Sequence, residues 1–281
     1  MSYNNQVEVY VSEFKSWKDF QNFRLSVRQE ARYFRSKLSD EFLDTLLATS
    51  KNRVKNLSKN SKLWRAQLGQ EWREDENGVE EALPHPPSRM VPRTENVFEG
   101  RANPKGIPFL YLASEQETAM SEVRPWLGSS ISLGLFSLEK DLRLIDLSLG
   151  HDKFIFYFNE PNSEEREKAV WYDIDRAFSR PVTRTDNHTE YIPTQIIAEF
   201  FKKNNFDGVI YKSNFGSNGY NIALFNIEDA RLEQCHLFET KSINIDFQEV
   251  ANPYFRKNLD GKDTFVRSKI ISIGPVDKDQ D

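Results

Sequence analysis

Residues 100–126 read GRANPKGIPFLYLASEQETAMSEVRPW. Ile107 to Leu112 is a continuous apolar run, which reads as a buried strand. Ser114 follows at a helix-capping position, and Glu117 three residues later completes the pattern of a capping box. The predicted helix runs to about Arg124, where Pro125 stops it. It carries Ala119 and Glu122 three residues apart, on one face.

Downstream, ISLGLFSL from Ile131 and LRLIDL ending at Leu147 read as two further strands. Residues 151–190 show no clear period. Pro193 then fits a first-turn position of a helix whose buried stripe is Ile196, Ile197, Phe200 and Phe201, with Asn204 and Asn205 at its end. Asp207-Gly208 leads into a strand at Val209 to Tyr211. A polar loop from Lys212 to Gly219 and a strand from Tyr220 to Phe225 follow. Val276 to Asp281 reads as a frayed acidic tail.

Upstream, LWRAQ places Arg65 in a short strand within Ser61 to Gln67. The polar, proline-containing stretch from Gly69 to Gly106 reads as one long loop, a lid or an insert. Residues 16–60 read as helical. Trp17, Phe20, Phe23, Val27, Ala31 and Phe34 recur at steps of three and four, and a second helix from Ser39 carries Phe42, Leu43, Leu46 and Leu47. Ser16 and Asp19 resemble a capping box. Strands and helices do not alternate strictly, so the fold class is α+β. The expected organisation is an N-terminal helical segment over 1–60, a core over 61–228 and a C-terminal extension over 229–281.

The chain has 281 residues, 38% of them hydrophobic, with 21 Phe, so a Phe-rich core is expected. Net charge is −5, with Lys and Arg interspersed among acids, and this is not the basic stripe of a duplex-DNA binder. One cysteine, Cys235, cannot make an internal disulfide. His85, His151, His188 and His236 show no metal-ligand spacing, and the Cys235–His236 pair falls short of a zinc site. The N-terminal residues MSYNNQVEVY do not read as a signal peptide, and no apolar run approaches the roughly 18 residues of a membrane span. A cytoplasmic location is expected. No Walker-type phosphate loop is present, and GSNG at 216–219 is no dinucleotide fingerprint.

Taken in order, Arg65, then Arg101, Asn103-Pro104, Gly106, Leu110 to Ala113, Thr118-Ala119 and Glu122, then Gly208 to Ser213, resemble the pattern of the RES domain. The family is named for an Arg, a Glu and a Ser, matched here by Arg65, Glu122 and Ser213. The resemblance covers about residues 61–228. It implies an ADP-ribosyltransferase-like fold and the breakdown of NAD, by phosphorolysis or hydrolysis, in a toxin restrained by a helix-turn-helix antitoxin or another inhibitory partner. NAD is then a consumed substrate with inorganic phosphate as a co-substrate, and no cofactor is expected. A homo-oligomer is left open.

The residue types suit that chemistry. Cleavage at an anomeric carbon builds positive charge on the sugar, which a fixed carboxylate such as Glu122 stabilises. Tyr111 can stack on a pyridinium ring. Arg65 first and Arg101 second suit the diphosphate. Ser213 can donate to a phosphate oxygen, and Tyr211 flanks it. Each has a plain alternative: a core tyrosine, a solvated glutamate, an ion-paired arginine, a turn serine. Two further readings use the same residues: a protein ADP-ribosyltransferase whose 69–106 insert docks a target, and a RES-like module that binds without catalysis.

Overall fold

The computed structural model describes residues 13–92, 97–151, 155–180, 188–215 and 219–248, and the strands at 254–259 and 262–267. The chain divides into two compact units, Met1–Lys241 and Ser242–Asp281. The first contains α1 (Asp19–Gln29), α2 (Lys37–Thr49), β1 (Val54–Leu57), β2 (Lys62–Leu68), β3 (Glu71–Glu74), β4 (Glu80–Leu83), α3 (Pro87–Met90), β5 (Leu110–Ala113), α4 (Gln116–Glu122), β6 (Ser130–Leu138), β7 (Leu142–Asp146), α5 (Ser163–Ser179), α6 (Ile192–Lys203), β8 (Gly208–Lys212), β9 (Tyr220–Leu224) and β10 (Ala230–Glu239). In the second, β11 (Tyr254–Leu259) pairs antiparallel with β12 (Lys262–Arg267). The expected acidic tail lies outside the described residues.

The α+β class is the one observed. Eight strands form a single sheet in the order β1-β7-β8-β9-β5-β2-β6-β10. β7 and β8 run parallel, with α5 and α6 in the connection between them, as a parallel pair requires. Every other neighbouring pair is antiparallel.

Strand alternation divides the core between the two faces of this sheet. On one, Ile145, Val209 and Ala223 meet Phe20, Phe23, Phe42, Leu46, Trp171, Phe178 and Phe201 from α1, α2, α5 and α6. Each of these phenylalanines is almost fully buried and contributes about 1.5–3 kcal/mol relative to exposure. On the other, Leu110, Leu112, Phe136, Leu144, Ile210, Ile222 and Leu224 pack with Met90 of α3. A third, small-residue cluster of Ala66, Ala113, Ala119, Ile131 and Leu133 seats α4.

Several expectations change here. The compact units do not divide at 60/61 or 228/229. β1 joins the sheet beside β7, α1 and α2 share the core of α5 and α6, and β10 pairs with β6 from Ala230 to Glu239. α1 ends at Gln29, so Phe34 falls outside it and is 94% exposed. The Asp19 carboxylate accepts the Ser16 N–H, while the Ser16 hydroxyl turns to Glu160 instead of capping α1. Ser114 does not cap α4. Its hydroxyl accepts the Tyr220 N–H, tying the end of β5 to the start of β9. The stretch 69–106 is not plain loop, because β3 and β4 form a hairpin closed at Asp75, whose carboxylate accepts the N–H groups of Asn77 and Val79. Within 151–190 lies α5, capped by the Asn162 side chain, which accepts the Glu165 N–H. No helix among the described residues is long and apolar enough to cross a membrane.

Candidate active site

Glu122 stands in the last turn of α4, four residues after the buried Thr118, and so on the helix face turned to the protein. Its Oε1 accepts two hydrogen bonds, from the Ser213 hydroxyl at 2.6 Å and from the Asn221 amide at 2.5 Å. Ser213 follows β8 directly, and Asn221 lies on β9 opposite both Ala113 of β5 and Tyr211 of β8. Opposed residues share a face, so Tyr111, Ala113, Tyr211 and Asn221 all look to one side. The carboxylate is therefore fixed by one donor just after β8 and one on β9, 91 and 99 residues away in sequence. The Ser213 hydroxyl also lies 2.9 Å from the Phe215 carbonyl and receives the Phe215 N–H at 3.0 Å. With a single proton it serves one acceptor at a time.

Tyr111 is held at its tip. The hydroxyl donates to Asn103 Oδ1 at 2.7 Å and accepts the Ala102 N–H at 3.0 Å. Burial pushes the phenol's pKa up, so it stays protonated. Asn103 is itself buried, and its amide donates to the carbonyls of Phe98, Pro104 and Ile107. Gln195, in the first turn of α6, donates to the carbonyls of Gly100 and Asn103. Gly100 has no room for a side chain, because a Cβ there would meet Tyr111 Oη at 2.5 Å. Tyr111→Phe would leave both the Ala102 N–H and Asn103 Oδ1 without their partner. A loss of about 1–3 kcal/mol in unfolding free energy is expected in urea titration.

Arg65 projects from β2 beside the point where β2 and β5 share a single residue pair, Trp64 with Ala113. Its Nη1 donates to the Tyr111 carbonyl at 3.0 Å, and its Nε is buried with no partner among the described residues. Burial lowers the guanidinium to about 10, which leaves it cationic at neutral pH. Arg65, Gln67, Asn103, Phe109 and Tyr111 line a cavity of about 490 Å³. A buried cation with an unmet donor beside an open cavity suits an anionic group.

Arg101 reaches the C-terminal end of α5, where Nη1 donates to the carbonyls of Phe178 and Ser179, a favourable place for a cation. Its guanidinium carbon lies 6.0 Å from the centre of the Tyr211 ring. The Tyr211 hydroxyl is pushed up by burial first and then by Tyr111, while Arg101 lowers it and Glu122 and Tyr191 raise it. Tyr211 stands opposite Asn221, whose amide holds Glu122.

The six residues singled out from sequence accordingly form two linked groups, Arg65 with Tyr111 at the cavity and Glu122 with Ser213 at the ends of β8 and α4. Arg101 reaches the Tyr211 ring, and Tyr211 is the strand partner of Asn221. Asn221 and Asn103 were not among those six. The signal for Asn221 was a lone amide in the apolar strand YNIAL, since a buried amide needs partners. Asn103 stood inside the quoted motif but was given no role of its own.

Residues 62–246 match the RES domain, and the chain belongs to that family. No curated protein matches it. Among solved structures, a chain in the crystal structure of the M. tuberculosis MbcT-MbcA toxin-antitoxin complex is similar, at 16% identity. The match covers 70% of this chain and 92% of that one, with a TM-score of 0.39.

Proposed function

We propose that this protein cleaves the nicotinamide–ribose bond of NAD, with inorganic phosphate ahead of water as the acceptor. The observation that carries the reading is the Glu122 carboxylate fixed by Ser213 and Asn221. As the C–N bond breaks, its electron pair leaves with nicotinamide, which departs neutral and needs no strong acid. The ribose carbon becomes cationic. A carboxylate already oriented stabilises that charge without reorganising, the usual source of large rate effects. A phosphate oxygen then bonds to the same carbon, giving the 1-phosphate of ADP-ribose. With water the product is ADP-ribose and a proton is released. Arg65 seats a phosphate of the substrate, and Tyr111 offers its ring to the pyridinium.

Uncontrolled loss of NAD harms the cell that makes such an enzyme. The reading therefore includes action as a toxin held by an inhibitory partner, in keeping with the RES resemblance. A protein ADP-ribosyltransferase is the second reading. It is favoured by the β3–β4 hairpin, which carries Trp72 at 62% exposure, an aromatic able to dock a target.

The test is incubation of the full chain with NAD, with and without inorganic phosphate, and mass analysis of the products. ADP-ribose 1-phosphate formed only with phosphate is the expected result. ADP-ribose in both arms indicates hydrolysis. A gain of one ADP-ribose in the mass of the protein indicates transfer, and intact NAD throughout overturns the proposal.

A further inference from the structure

The sheet carries a second cavity, of about 580 Å³. Tyr211 and Asn221 look to the candidate active site, so by strand alternation Ile210, Lys212, Tyr220 and Ile222 look the other way. All four line this cavity. Its size is within the ~300–1,000 Å³ of small-molecule sites.

The polar groups around it are cationic or donating. Lys55, from β1, makes no ion pair among the described residues. Among the described residues, Lys212 has only the Tyr220 ring, whose centre lies 4.6 Å from Nζ. His151 directs Nδ1 at the buried Asp175 carboxylate, 2.5 Å away, which leaves Nε2 as the ring's other polar atom. The Ser114 hydroxyl accepts the Tyr220 N–H at 3.0 Å and keeps its own proton to donate. The one acid in the lining, Asp146, has Oδ1 occupied by the N–H and hydroxyl of Ser148, at 2.9 and 2.5 Å. The floor is apolar, formed by Leu57, Leu63, Ile210 and Ile222.

Two lysines without carboxylate partners among the described residues, around an apolar cavity, are an uncommon use of charge in a chain of net charge −5. Exposed lysines usually point into solvent, whereas these two share one concave site. We propose that this cavity is a second binding site, for a phosphorylated small molecule of mononucleotide size. Lys212 and the Ser114 hydroxyl, on either side of Tyr220, take the phosphate, and Lys55 lies toward the other end of the cavity. The leucine and isoleucine floor, with Tyr220, takes the ring behind it. The site is separate from the Arg65 cavity, with which it shares no lining residue.

The probe is AMP, titrated calorimetrically into the full chain, with adenosine and inorganic phosphate as partial ligands. Wild type is compared with the double charge reversal Lys55→Glu/Lys212→Glu and with the milder Lys55→Gln/Lys212→Gln. Lys55 is exposed and Lys212 partly so, and melting curves check that both variants fold. The expected result is AMP binding that weakens about tenfold or more in both variants and falls with added salt. Each partial ligand should bind more weakly than AMP. Arg65→Lys, in the other cavity, should leave the part of AMP binding that depends on the two lysines in place. No binding of AMP, equal binding by the lysine variants, or a loss confined to Arg65→Lys overturns the proposal.

Discussion

Glu122→Gln is expected to lower the rate of nicotinamide release from NAD by roughly 10²–10³-fold while the protein stays folded. Glutamine keeps the shape of the side chain, and its amide oxygen still accepts from Ser213 and Asn221, as Oε1 does at 2.6 and 2.5 Å. Only the charge is removed. A negative charge that matters chiefly in the transition state affects kcat, whereas one that only holds substrate affects KM. The expected pattern is a fall in kcat with KM nearly constant. Ser213→Ala and Asn221→Ala each free one anchor of the same carboxylate and should reduce kcat less than Glu122→Gln does. A Glu122→Gln protein that retains a tenth or more of wild-type turnover would remove the carboxylate from the mechanism.

Gly219→Ala should cost about 1–3 kcal/mol of stability, as overpacking in a filled interior does. The added Cβ would fall 1.7 Å from Thr118 Oγ1 and 2.6 Å from Thr118 Cβ. Thr118 is 1% exposed and stands on α4, where a β-branched side chain has few alternative rotamers. Backbone must therefore move, either that of α4, which carries Glu122, or that of Gly219, whose carbonyl accepts the Ser213 N–H. Turnover should fall along with stability, even at temperatures where the variant is fully folded. Chemical denaturation and the rate of nicotinamide release, measured on the same preparation, check both halves. Wild-type kcat in a destabilised variant would show that α4 keeps its place, contrary to the expectation.

Much of the site was readable without coordinates, because a strand running into a short helix with an acid has a local signature. Arg65, Tyr111 and Glu122 all fall on or at the ends of predicted elements. What could not be read was set by contacts distant in sequence. Ser114 has the form of a helix cap, yet its hydroxyl is taken by Tyr220, 106 residues on. Local capping and long-range pairing compete for one oxygen, and the sequence shows only the first. The helix α5 was missed although Asn162, Glu164 and Glu165 mark its start and Ala169, Val170, Ile174 and Phe178 its buried side. Charged residues in its first half mask the period. The segment before residue 61 reads as a separate helical cap because the strand Val54–Leu57 has no apolar pattern of its own. Its partner, β7, begins 85 residues after its own end.

The strand order has a consequence for when the protein can begin to act. β9 lies between β5 and β8, so the two are not joined into one sheet until residues 220–224 are in place. Glu122 receives both its anchors from beyond residue 212, 91 and 99 residues later in the chain. As the polypeptide leaves the ribosome, the half that carries Arg65, Tyr111 and Glu122 emerges first, and it can pair β2 with β5 and β6 but lacks both donors to Glu122. Contacts of such long sequence separation form late. A nascent or prematurely terminated chain therefore holds its acid unanchored, and competence arrives only with the last strands of the sheet.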